Sequence, residues 1–173
     1  TLNIKLFQAY GMPEMGPVIT VLFDDEQLEK AGSAGKPVIN HEIRVIQPDA
    51  MDPEQVVPVG EQGEVIVRGP SMMSSYYRRP EATKEVLRDG WYFTGDVGYT
   101  DEDGYLWVND RIKDMIVSGG ENIYSREVED TLFDHPEVLD VAVIGEPDEK
   151  WGERVVAFVV LKNSSVTEEE LDD

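Results

Sequence analysis

The sequence predicts a mixed α/β protein, built mostly from short strands as far as Asp110 and from a small α+β unit beyond it. Three observations carry this. Runs of β-branched residues recur between Gly- and Pro-rich turns. Two helix signatures appear, one opened by Pro80 and one by Ser125. The residue pattern changes at Asp110–Asp114.

Val18–Phe23 is the first clear strand candidate, followed by the alternating stretch His41–Ile46 and by Gly63–Arg68, which a Gly69-Pro70 pair stops. A short helix comes next. Pro80 suits its first position, Glu81 its first turn, Ala82 and Val86 share a face, and Gly90 is placed just past its end. Val97–Thr100 and Tyr105–Val108 flank Asp101-Glu102-Asp103-Gly104 as a hairpin. That acidic loop lacks the ligand spacing of a calcium-binding loop, so it reads as a turn. Beyond Asp110, a second hairpin (Asp114–Val117 and Asn122–Tyr124) bends at Gly119-Gly120. It leads to a helix capped by Ser125, with Val128, Leu132 and Phe133 facing inward and Pro136 ending it. Val138–Ile144 and Val155–Leu161 are expected as buried strands. Thr167 and Glu170, three apart, have the spacing of a capping box and announce a helix that the 173-residue sequence leaves short.

Acidic residues outnumber basic ones, 36 to 15, for a formal charge of -21. Such an excess repels nucleic-acid backbones and anionic membranes, and it suits a densely solvated surface of the kind that adapts proteins to high salt. The aromatic residues and β-branched runs argue for a packed core rather than disorder. There is no cysteine, hence no disulfide, thiolate metal site or thiol nucleophile. No apolar run is long enough to span a bilayer and no signal peptide is recognisable, which makes the cytoplasm the expected compartment. No phosphate-binding P-loop, dinucleotide fingerprint or nucleophile elbow is present, and the isolated His41 and His135 are given no role.

The segments Gln8-Ala9-Tyr10-Gly11-Met12-Pro13-Glu14, Gly63-Glu64-Val65-Ile66-Val67-Arg68-Gly69, Tyr92-Phe93-Thr94-Gly95-Asp96, Asp110-Arg111-Ile112-Lys113-Asp114 and Ser118-Gly119-Gly120-Glu121-Asn122-Ile123-Tyr124 follow one another in order. Together they resemble the adenylate-forming superfamily, and within it the AMP-forming acyl-CoA synthetases and acid-CoA ligases. The resemblance implies ATP-dependent activation of a carboxylic acid, fatty or aryl, to an acyl-adenylate, then transfer to CoA. It implies that residues 1–110 are the last, barrel-like part of a large AMP-binding domain. Residues 111–113 would be a hinge, and residues 114–173 a small mobile domain cut short.

It further implies roles for single residues. Tyr10 would lie against adenine and Gly11 would let the backbone pass the nucleotide. Glu14 would help hold Mg²⁺ beside the ATP phosphates, Asp96 would accept hydrogen bonds from the ribose hydroxyls, and Arg111 would contact ribose or phosphate. Lys113 would be the pivot, and Gly119 and Gly120 would admit the pantetheine arm of CoA. Pro13 departs from the pattern, since the family usually has threonine there and proline offers neither hydroxyl nor N–H. The family's phosphate loop belongs upstream of Gln8 and its adenylation lysine downstream of Thr167, so this chain alone is expected not to complete adenylation. Two other readings stay open: a non-catalytic nucleotide- or acyl-binding module, and an adenylating enzyme of peptide-synthetase or luciferase type.

Overall fold

The computed structural model describes residues 4–48 and 50–162. The chain divides into two compact units, Thr1–Val108 and Asn109–Asp173.

In the first unit, β1 (Gln8–Tyr10), β2 (Thr20–Leu22) and β3 (Lys36–Pro37) form a small antiparallel sheet. A second sheet contains β4 (Glu42–Ile46), β5 (Gly63–Arg68), β6 (Leu87–Arg88), β7 (Trp91–Thr100) and β8 (Leu106–Arg111), the last of which runs across the unit boundary. β5 lies between β4 and β7, and both β6 and β8 pair with β7. The sheets are open and do not close into a barrel; they meet where Leu106 donates its N–H to the Gly35 carbonyl at 2.9 Å. Mixed α/β with sheet dominant is therefore the architecture.

β5 is the centre of this unit because its apolar residues are buried on both faces. Val65 and Val67 pack with Met15, Ile19, Tyr92 and Leu106, while Ile66 packs with Ile46, Trp91 and Phe93. Alternate residues of a strand face opposite sides, so an unbroken apolar run is what a doubly covered strand needs. Each such side chain contributes about 1.5–3 kcal/mol by leaving water.

The second unit holds β9 (Ile116–Ser118), β10 (Glu121–Ile123), α2 (Ser125–Phe133), β11 (Val138–Asp148) and β12 (Gly152–Leu161), with strand order β10-β9-β12-β11 and α2 against β11.

Several local expectations are corrected. The helix α1 (Pro80–Val86) does begin at Pro80, but Gly90 is not its terminus. Asp89 and Gly90, at φ 48° and 78°, make the two-residue turn that pairs Arg88 with Trp91 in the β6–β7 hairpin. Ser125 is the first residue of α2 rather than its cap. Its hydroxyl donates to Asp110 Oδ2 at 2.8 Å, and the same oxygen accepts the Arg126 N–H at 3.2 Å. A distant carboxylate thus satisfies an orphan donor of the helix, as a capping residue would. Phe133, the last residue of α2, is 56% exposed rather than turned inward. β11 and β12 are longer than expected and join in one hairpin whose second face leaves Ile144, Phe158 and Val160 exposed. Asp114 belongs to a 3-10 turn, Ile112–Asp114, rather than to β9. The helix expected at Thr167 lies outside the described residues.

The acidic loop is a turn held by a cation from the protein itself. Asp101 Oδ1 accepts the N–H groups of Asp103 and Tyr105 at 3.0 and 2.9 Å, and its Oδ2 accepts Lys30 Nζ at 2.8 Å. Burial disfavours ionisation of Asp101, but the bonds from Lys30, Tyr105 and Trp107 outweigh it and hold the carboxyl below its ordinary value of 3.8. A depressed folded-state pKa stabilises the fold above the ordinary value, and that contribution disappears as pH falls through the lower one. Asp101→Asn is expected to cost about 1–2 kcal/mol at neutral pH. Urea melts of both proteins across the acid range should show the deficit closing below pH 3.8.

Candidate functional site

The site of the first unit starts from an irregularity in the β5–β7 ladder. Glu64 pairs with Val97 and Ile66 with Phe93, so Thr94, Gly95 and Asp96 together stand opposite Val65. Such a bulge needs unusual backbone, and Gly95 supplies it at φ 71°. The displaced polar groups are satisfied locally. Thr94 Oγ1 donates to the Val65 carbonyl at 2.6 Å and accepts the Asp96 N–H at 3.0 Å, and Gly95 donates its N–H to Glu64 Oε1 at 3.2 Å. Asp96, only 5% exposed, is turned out of the ladder and accepts the Tyr10 hydroxyl on Oδ2 at 2.6 Å. Two residues singled out from sequence, 86 positions apart, are thereby brought into one hydrogen bond.

Tyr10 ends β1, and the chain then turns through Gly11 into a 3-10 turn at Pro13–Met15. A Cβ at Gly11 would collide with the Pro17 carbonyl, so the protein's own backbone requires glycine there. Pro13 opens the turn, where its fixed φ is favourable and the absent N–H costs nothing. Met15 is fully buried and anchors the turn in the core, leaving Glu14 half-buried beside it.

Glu14 receives the Tyr76 hydroxyl on Oε1 at 2.8 Å, and Tyr76 lies 3.3 Å from the hydroxyl of the buried Tyr92. The bond to Tyr92, then burial, then the Glu14 carboxylate raise the Tyr76 phenol above its ordinary value, so it stays protonated and donates at neutral pH. Glu14 Oε2 makes no hydrogen bond or ion pair among the described residues. No group of three or more His, Cys, Asp or Glu that could cage a metal ion occurs among them either. One carboxylate with an uncommitted oxygen fits an ion that draws its remaining ligands from phosphates and water, as Mg²⁺ does.

The other expected residues lie in the second unit. Arg111 is exposed at the end of β8, and Lys113 is exposed in the following 3-10 turn, with Nζ 3.2 Å from Asp114. Gly119 and Gly120, at φ 62° and 90°, form the β9–β10 turn. Trp151, half exposed, packs its ring on Gly119, whose N–H donates to the Trp151 carbonyl at 2.9 Å. Asp148 Oδ1 accepts the N–H groups of Lys150 and Trp151 and so fixes that hairpin tip. Beside it runs an open groove of about 550 Å³ lined by Ser118, Gly119, Glu121, Trp151, Arg154 and Val155, among others. Tyr76, Tyr92, Glu64 and Trp151 were not foreseen as site residues. No local spacing marks Tyr76 or Trp151, whereas Glu64 and Tyr92 sit inside motifs already noted.

Comparison with known proteins places this fold, with its bulged carboxylate, tyrosine and glutamate, among nucleotide-handling enzymes. The model of the AMP-binding enzyme family matches residues 1–77, and that of the AMP-binding enzyme C-terminal domain matches residues 127–173. The chain belongs to the adenylate-forming superfamily, with the AMP-forming acyl-CoA ligases as its relatives. The 2-succinylbenzoate–CoA ligase of Bacillus cereus is 46% identical over 98% of this chain, which spans 34% of that enzyme. The o-succinylbenzoate CoA synthetase of Bacillus subtilis, solved with its acyl-adenylate intermediate, matches with a TM-score of 0.84 at 43% identity, over 97% of this chain and 34% of its own. An amide bond synthetase from Marinactinospora thermotolerans matches at TM-score 0.82 and 41% identity, over 96% of this chain and 34% of its own. The chain thus spans about a third of the length of these relatives.

Gly11→Ala is expected to destabilise the first unit by about 1–3 kcal/mol, since the added methyl meets backbone rather than a movable side chain. Thermal unfolding followed by circular dichroism checks this, and an unchanged melting temperature would contradict it.

Proposed function

We propose that this chain supplies part of the nucleotide site, and the acceptor-side unit, of an enzyme that activates a carboxylic acid with ATP and transfers it to CoA. The observation that carries the reading is the Tyr10–Asp96 pair on the Thr94-Gly95-Asp96 bulge. Asp96 is a buried carboxylate that accepts the Tyr10 hydroxyl, and an acceptor-only group with two oxygens suits ribose hydroxyls. Glu14 would hold Mg²⁺. The ion, when bound, offsets charge as the acid attacks the α-phosphate. Lys113 would serve as the pivot and Arg111 as a contact to ribose or phosphate. In the groove beside Gly119, the Trp151 ring offers a flat apolar face past which the slender pantetheine arm could run.

The relatives support an aryl acid over a fatty acid as substrate. Several of them, from different Bacillus species, are 2-succinylbenzoate–CoA ligases. The amide bond synthetase supports a second reading, in which adenylation is shared and the acceptor is an amine instead of CoA.

The test uses the product of the whole gene with ATP, Mg²⁺, and a panel of aryl and fatty acids, with either CoA or simple amines as acceptor. Acid-dependent pyrophosphate release and acyl-CoA formation are expected, strongest with aryl acids. Asp96→Ala should raise the KM for ATP roughly 10–100-fold, as loss of hydrogen bonds to a charged group does. Amide formation without CoA turnover would favour the second reading. AMP binding with no acid-dependent turnover would favour a binding module.

A further inference from the structure

We propose that Tyr76 is a positioning residue for Glu14, holding that carboxylate in the single orientation in which Oε1 is occupied and Oε2 is left to a metal ion. The proposal rests on the reading of Glu14 as a Mg²⁺ ligand and goes beyond it by naming the group that makes Glu14 a fixed, one-oxygen ligand.

Three observations carry it. The Tyr76 hydroxyl reaches Glu14 Oε1 at 2.8 Å from 62 residues away, so the contact is tertiary and not an accident of the local turn. The loop before α1 also grips the backbone on which Glu14 sits. Met73 donates its N–H to the Glu14 carbonyl at 2.7 Å, and Ser71 Oγ donates to the Met15 carbonyl at 2.5 Å. Tyr76 is itself held on both sides. Its N–H donates to Thr83 Oγ1 at 3.0 Å, that hydroxyl donates to the Arg79 carbonyl at 2.8 Å, and the buried Tyr92 hydroxyl stands 3.3 Å behind the phenol. α1 therefore fixes the loop, the loop fixes Tyr76, and Tyr76 fixes the carboxylate.

Pro13 gives this arrangement its particular importance here. A residue with a hydroxyl before Glu14 could orient the neighbouring carboxylate or phosphate itself, and proline does not. Among the described residues, the hydroxyl that touches Glu14 is that of Tyr76. Groups hydrogen-bonded to a metal ligand limit its rotation, and their removal typically weakens metal binding about 10–100-fold.

The experiment compares the whole gene product with its Tyr76→Phe, Tyr92→Phe and Glu14→Gln variants. Free Mn²⁺ is counted by electron paramagnetic resonance in the presence of α,β-methylene-ATP, a probe that binds without turnover. Tyr76→Phe should bind Mn²⁺ about tenfold more weakly. In steady-state assays it should raise the KM for Mg²⁺ by a similar factor, with kcat at saturating Mg²⁺ nearly retained. Tyr92→Phe keeps the Tyr76 phenol and should stay within about threefold of the parent. Melting temperatures in metal-free buffer should match for the two tyrosine variants. If Tyr76→Phe does not fold, Thr83→Ala, which removes the acceptor of the Tyr76 N–H, should show a smaller loss in the same direction.

Unchanged Mn²⁺ affinity in Tyr76→Phe, alongside a large loss in Glu14→Gln, would overturn the positioning role and leave the metal reading intact. Unchanged affinity in Glu14→Gln, or no nucleotide-dependent Mn²⁺ binding by the parent protein, would overturn both. A loss in Tyr76→Phe that merely follows a drop in melting temperature shared with Tyr92→Phe would assign Tyr76 a structural role only.

Discussion

Three residues of β7 occupy the place of one, and much of the first unit follows from how that misfit is resolved. A regular ladder would pair Thr94, Gly95 and Asp96 one for one with residues of β5. Instead the backbone loops outward at Gly95. The Thr94 hydroxyl and the Glu64 carboxylate take over the hydrogen bonds that the ladder gives up. A buried main-chain group left without a partner is costly, so this local compensation is what makes the bulge sustainable. The same strand carries Tyr92 toward Tyr76 and Asp96 toward Tyr10. The two halves of the candidate nucleotide site therefore hang from one strand, whose regular parts are clamped in the core by Trp91, Phe93 and Val97.

How much of this was legible depended on the range over which each signal acts. Gly63–Arg68 could be read directly, because a strand covered on both faces must be apolar throughout and ends at Gly69-Pro70. Pro80 marked a helix start for an equally local reason. Gly90 misled because a glycine after a helix is a common terminator, while Asp89-Gly90 is also a strong hairpin turn. The two-residue strand that decides between them is too short to show a period. Ser125 misled for a different reason. Serine is a favoured cap, but here a carboxylate fifteen residues earlier does that work, and nothing in local sequence shows such a partner.

The site divides along the same line. Tyr10, Glu14 and Asp96 stood out because they belong to motifs in family order, yet the hydrogen bond between Tyr10 and Asp96 is a product of folding alone. Tyr76 had no motif of its own, and a tyrosine beside an exposed tyrosine is unremarkable until the fold carries it to Glu14. Gly11 shows the opposite case. Read as room for a nucleotide, it has a nearer reason in the Pro17 carbonyl, which leaves no space for a side chain whatever is bound. Trp151 likewise gains meaning only from the glycine turn against which it lies.

The bonds from Ser125 and Arg126 to Asp110 turn the backbone between them into a closed ring. Lys113 lies inside that ring. A bond within a ring cannot rotate by itself: its neighbours must rotate in compensation, or the closure must open. Asp110 thus behaves like a clasp on a bracelet, closing the loop of chain in which Lys113 lies.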